Sequence, residues 1–157
     1  MNSADAVKPR TWMLPPAPYA VALFGGWWLD RHVLAFALDL GVVATPLGWG
    51  FVAIGLAIFG WTLMTFQRHR TTVNPYKGAT SLCTSGPFRF SRNPIYLSDW
   101  LVYAGSSLLL RTAWPLVFAP VIWVILRFDV IRHEERHLEA KFGDAYRSYT
   151  FRVRRWF

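Results

Sequence analysis

Residues 47–67, LGWGFVAIGLAIFGWTLMTFQ, run for 21 positions without a charge. About 20 such residues are enough for a helix to cross the ~30 Å hydrocarbon core of a bilayer, so this run limits the fold more than any other feature. The rest of the chain agrees with it. Of 157 residues, 54% belong to the hydrophobic set and only 17% are charged, against ~25% charged in soluble domains. That balance excludes a disordered or nucleic-acid-coating chain, despite a net charge of +8. The length suits one domain and leaves little for a second core. Cys83 is the only cysteine, so no intramolecular disulfide framework exists.

Three further apolar stretches read as spans: residues 13–29, 95–110 and 112–131. The third contains Asp99, and the fourth contains Pro115, Pro120, Arg127 and Asp129. Only Arg111 separates those two, which predicts a tight antiparallel hairpin. Residues 32–45 carry Asp39 and read as an interfacial helix rather than a crossing. The expectation is one all-α integral-membrane domain with about four transmembrane helices. The basic residues give that layout a direction. Fifteen of the 17 Lys and Arg precede the first span, lie within 68–92 or follow from Arg127 on, leaving Arg31 and Arg111. The positive-inside rule therefore puts both termini and the central segment 68–94 in the cytoplasm, as expected in a bacterial-type inner membrane. No cleavable signal peptide is expected. Gly55, Gly60, Ala104 and Gly105 would let helices approach closely.

The C-terminal part, 132–157, reads as a cytoplasmic helix and tail, with Glu135 and Glu139 one turn apart and Gly143 as a possible break. Residues 151–157 alternate basic and apolar positions, which fits either contact with anionic headgroups or a solvated basic end. The central stretch TTVNPYKGATSLCTSGPFRFSRNPIYL, 71–97, is too polar to cross and too aromatic for a linker. Ser85-Gly86-Pro87 marks a turn. Asn93-Pro94 is a helix start, with Asn at the N-cap and Pro at the first helical position. Such an end suits a carboxylate or phosphate, and Arg89, Arg92 and Tyr96 crowd it. At membrane depth Asp99 is costly, and either a salt bridge or a functional role accounts for it. His133-Glu134-Glu135-Arg136-His137 satisfies H-E-x-x-H, a zinc-binding helix pattern. It would need a third ligand, for which His69 and Asp99 are the candidates.

GPFRFSRNPIYL at 86–97, then a helical hairpin, then EERHLEAKFGDAYRSY at 134–149, resembles the isoprenylcysteine carboxyl methyltransferase superfamily, which includes the phospholipid methyltransferases. TTVNPYK at 71–77 matches its small prokaryotic-type members. The family's Arg-His-Pro-x-Tyr element stands here as Arg92-Asn93-Pro94-Ile95-Tyr96, with Asn for His as in the phospholipid-methylating branch. Ser98 replaces the usual Gly, and Val130 falls where a substrate-side Arg would stand.

The resemblance implies binding of S-adenosylmethionine without a Rossmann unit. The cofactor contacts would be Thr80, Ser81, Leu82, Cys83, Phe88, Asn93, Pro94, Ile95 and Tyr96, with Asn74 and Glu134 completing the pocket. Glu134 would take part in catalysis, and Arg127 or Arg132 would stand in for the missing Arg. Phe88 and Tyr96 offer aromatic faces to a sulfonium. The implied reaction is methyl transfer to a lipid-like or prenylated substrate, on a carboxylate or an amine, needing no metal. The partners would be an amphiphilic substrate and the bilayer, with no nucleic acid. A membrane zinc hydrolase and a non-enzymatic membrane scaffold are the rival readings.

Overall fold

A computed structural model describes residues 16–70 and 80–156. Among these residues the structure is helical, without a strand and with one isolated bridge between Ala37 and Thr112. In order the helices are α1 (Ala17–His32), α2 (Ala44–Arg68), α3 (Pro94–Leu110), α4 (Trp114–Ile125), α5 (Arg132–Phe142) and α6 (Asp144–Arg152). A π-helical segment, Leu126–Ile131, joins α4 to α5. The expected all-α class holds.

Two stretches are long and apolar enough to cross a membrane, Gly41–Arg68 with 28 residues and Trp114–Phe142 with 29. Only 17% and 28% of their apolar windows are buried. Leu47, Trp49, Ile54, Leu56, Val121 and Trp123 are among the large side chains left exposed. Apolar surface of that extent calls for lipid or another protein against it. The other two expected spans are shorter. α1 and α3 have 16 and 17 residues, about 24–26 Å at ~1.5 Å per residue, less than the ~30 Å hydrocarbon core.

Two expected elements take a different form. The interfacial helix reduces to a three-residue 3-10 turn, Gly41–Val43. The Asp39 side chain accepts the Gly41 N–H at 2.8 Å, and a side chain that captures a backbone donor this way competes with helix formation. The segment before it pairs with the α3–α4 turn instead, Ala113 N–H donating to Phe36 O at 2.8 Å and Leu38 N–H to Arg111 O at 3.0 Å. The C-terminal helix is two helices. Gly143, at φ +50, ends α5, and α6 begins at the next residue. That positive φ is why glycine stands there.

The chain forms two compact units. One comprises the described residues of Leu14–Ala57 and Tyr96–Ile125. In it α1 packs on α4, with Gly26 against the Pro115 ring, where an added Cβ would lie 3.0 Å from Cδ. Gly48, Gly55 and Gly105 let α2 and α3 meet backbone to backbone, a Cβ on Gly55 falling 2.9 Å from Ser98 O. Gly60 faces open space. Tyr19 sits edge-on to Trp100 and Tyr103, and the Tyr103 hydroxyl donates to the Pro115 carbonyl. The second unit comprises the described residues of Ile58–Ile95 and Leu126–Phe157. Its core is Cys83, Phe88, Tyr146 and Tyr149, with Phe66, Leu82, Leu138, Phe142 and Val153 around it.

Candidate functional site

The second unit holds most of the residues to which the sequence assigns chemistry. Its loop is anchored to the end of α2: Ser81 Oγ donates to His69 O at 2.9 Å, Thr80 Oγ1 to Arg70 O at 3.0 Å, and His69 Nε2 bonds Ser85 Oγ at 2.7 Å. The expected turn follows as a 3-10 helix, Gly86–Arg89. Gly86 has φ +59, and a Cβ there would lie 2.5 Å from Thr65 Oγ1. Both conformation and space therefore require glycine. The turn carries Phe88 into the core, where its ring meets Phe66 at 5.3 Å and its carbonyl accepts the Tyr149 hydroxyl at 2.8 Å.

Beyond this turn the chain builds a charged network. Glu135 on α5 receives a two-pronged contact from Arg155, Nε to Oε1 at 2.9 Å and Nη2 to Oε2 at 2.7 Å. Arg92 Nη1 reaches the same Oε1 at 3.3 Å. The forked guanidinium–carboxylate pair fixes orientation as well as charge. Arg127, on the π-helical segment, acts on that carboxylate electrostatically. Arg92 Nε is buried and has no hydrogen-bond partner among the described residues. The backbone closes the same network. Arg92 N–H donates to Arg154 O at 3.1 Å, while Ser91 Oγ and Asn93 Nδ2 donate to Arg155 O at 3.1 and 3.2 Å.

Burial raises the titration of the neutral groups beneath this network. It pushes the Cys83 thiol up. It pushes the Tyr146 phenol up to about 12, with the Glu135 charge adding to the effect and Arg92 opposing it. Tyr149 also titrates well above the ordinary tyrosine range, burial again being the main cause. Both phenols stay protonated and able to donate at neutral pH.

The structure brings together in this unit Thr80, Ser81, Leu82, Cys83, Phe88, Asn93, Pro94, Ile95, Arg127, Arg132 and Glu134. Cys83 and Phe88 are core side chains, and Asn93 is a buried link to residue 155. Glu134 is half-buried and Arg132 exposed. Tyr96 is buried in the other unit, and Asn74 lies outside the described residues. Val130, where the superfamily's Arg would stand, is 1% exposed within the π-helical segment. Glu135, Ser91 and Arg155 are network members that sequence reasoning did not assign. The Glu-Glu pair pointed to the place but not to which carboxylate is ion-paired. Nothing in the sequence signals a partner 20 residues further on.

The H-E-x-x-H pattern finds little support. His133 Nδ1 donates to Asp129 O at 2.7 Å, which leaves Nε2 as its acceptor nitrogen and does not itself bear on metal binding. His69 is engaged with Ser85. Among the described residues no group of three His, Cys, Asp or Glu is placed to hold a metal ion.

The phospholipid methyltransferase family model matches residues 43–145. The chain belongs to the phospholipid methyltransferase family. The match covers every site residue expected from the sequence and leaves out Tyr146, Tyr149, Arg154 and Arg155, and it agrees with the superfamily to which motifs 86–97 and 134–149 pointed. The chain is also 44% identical over 62 residues to an uncharacterized protein of Haemophilus influenzae, covering 40% of this chain and 89% of that one. No solved structure matches. Family membership and the two long apolar helices together make this a membrane-associated chain of a methyltransferase family.

Proposed function

We propose that the protein is an integral-membrane methyltransferase that uses S-adenosylmethionine to methylate the amino headgroup of a phospholipid. The observation that carries the reading is the family match over 43–145, which spans Thr80–Tyr96 and Glu134. Asn93, in place of a titratable His, supports the phospholipid-methylating branch over carboxyl methylation. The donor set fits the cofactor. Arg92 Nε is a buried donor with no hydrogen-bond partner among the described residues and suits its carboxylate. Glu134, half-buried beside the ion-paired Glu135, suits its amino group or ribose hydroxyls.

S-adenosylmethionine supplies an activated methyl group on a sulfonium, so no metal and no covalent enzyme nucleophile are needed. The chain's task is alignment and exclusion of water. Glu135 holds Arg92 and Arg155 in place and is thereby committed to that pairing, and the half-buried Glu134 beside it is the carboxylate assigned to proton transfer. The acceptor ammonium must lose a proton before its nitrogen can form the new C–N bond as the S–C bond breaks. Glu134 or a water receives that proton. Arg127 is better placed than the exposed Arg132 to face the lipid phosphate. The distribution of basic residues supports a cytoplasmic location for the termini and for segment 68–94.

The test is an assay of the detergent-purified protein with methyl-labelled S-adenosylmethionine and total membrane lipid, separated by headgroup. Label in an N-methylated aminophospholipid is the expected result. Base-labile label on a carboxyl-bearing amphiphile would overturn the amine acceptor. Absence of both label and cofactor binding would overturn the methyltransferase reading.

A further inference from the structure

We infer that the segment 153–156 is a working part of the proposed cofactor site, and that Arg155 is a positioning residue that keeps Arg92 available to the ligand. The inference rests on the S-adenosylmethionine reading above. The segment lies beyond residues 43–145, the stretch the family model covers.

The segment leaves α6 in extended conformation, Val153 having φ −125 and ψ 124, and docks along residues 91–93. Its backbone takes three hydrogen bonds there, from Arg92 N–H, Ser91 Oγ and Asn93 Nδ2. The contacts span more than 60 residues of sequence. Arg155 thus grips both walls of the site at once, its carbonyl holding the turn before α3 and its guanidinium holding Glu135 on α5.

The distribution of bonds on Glu135 gives Arg155 its specific role. Arg155 engages both carboxylate oxygens at 2.7 and 2.9 Å. Arg92 reaches that carboxylate through a single contact, at 3.3 Å, and also bonds the Tyr146 side chain, while its Nε has no hydrogen-bond partner among the described residues. A carboxylate that loses its forked partner takes the next guanidinium within reach, and that is Arg92. Without the Arg155 side chain, Glu135 would draw Arg92 into a tighter pair and remove the donor on which an anionic ligand group depends. Arg155 acts on the ligand through Glu135 and Arg92, not by touching it.

The experiment is calorimetric titration of full-length protein in detergent with S-adenosylmethionine. Arg155→Gln keeps the backbone carbonyl that bonds Ser91 and Asn93, so docking of the segment persists and only the guanidinium is lost. Its Kd is expected to rise about tenfold or more, the scale of one charge-assisted hydrogen bond. Adding Glu135→Gln to Arg155→Gln removes the competitor for Arg92 and is expected to restore Kd to within about threefold of wild type. Arg155→Lys, which keeps the charge but not the fork, should fall between, and it carries the test if Arg155→Gln does not fold. Unchanged affinity in Arg155→Gln or Arg155→Lys overturns the inference. A double variant as weak as Arg155→Gln also overturns it, because a merely structural role predicts no rescue. If wild type binds no S-adenosylmethionine, the proposed function fails and the inference fails with it; a wild type that binds, with variants unchanged, sinks the inference alone.

Discussion

In one unit Asp30 Oδ1 accepts from Phe36 N–H and from Thr112 Oγ1, both at 2.9 Å, and Trp114 Nε1 donates to Leu34 O at 2.8 Å. In the other unit Glu135 joins Arg92 and Arg155, and their backbones join residues 91–93 to 154–155. Both networks tie together segments far apart in sequence around one carboxylate. They differ in what is left over. Asp30 meets neutral donors that need no further partner, as suits a clasp holding the segment after α1 to the α3–α4 turn. Around Glu135 two guanidinium groups share one carboxylate, and Arg92 Nε stays buried with no hydrogen-bond partner among the described residues. A buried donor without a partner costs free energy unless something else meets it. Under the proposed function, the contrast separates a linkage that only holds the fold from one that also serves a ligand.

Glu135→Ala should have the largest effect, because it leaves two guanidinium groups facing each other. Removing one partner of a fully buried pair costs ~3–5 kcal/mol, and the 16–26% exposure of these side chains puts the loss near the bottom of that range, about 3 kcal/mol. Thermal unfolding in detergent measures it, and a loss below about 1 kcal/mol would mean the charged network is not closed as described. Next, Gly86→Ala should cost about 2 kcal/mol through the strain of φ +59 and the crowding against Thr65. It tests the frame that carries Phe88 rather than the charges. Thr112→Val should cost about 1 kcal/mol by removing the bonds to Asp30 and from Trp114 N–H. Its affinity for S-adenosylmethionine should match wild type; a tenfold loss would erase the distinction between the two networks. Arg147→Ala should leave the unfolding midpoint where it is, since its pairs with Glu139 and Asp144 are exposed.

The sequence displayed the parts governed by neighbours only a few residues away. Ser85-Gly86-Pro87 gave the turn, Asn93-Pro94 the start of α3, Gly143 the break between α5 and α6, and the uncharged run 47–67 most of α2. Each rests on a local rule about φ, a missing N–H or hydrophobic run length. The rest depends on pairing across the chain. Thr112 meets Asp30 82 residues away, and Asn93 meets residue 155 at a separation of 62. No periodicity records such contacts. The π-helical segment is similarly hidden, because its one-residue change of register leaves the composition of 126–131 like any helix. Of the candidate site, the Glu-Glu pair located the region from sequence. That Glu135 is the ion-paired member, and that the tail bonds residues 91–93, required the fold.

The central claim is that the Arg92–Glu134 region binds S-adenosylmethionine. Calorimetric titration of the wild-type protein and of Glu134→Ala, side by side in detergent, tests it most directly. Saturable one-site binding by wild type, weakened about tenfold or more in Glu134→Ala while the unfolding midpoint is retained, is the result expected. Identical affinity in the two proteins, or no binding by wild type, would contradict it.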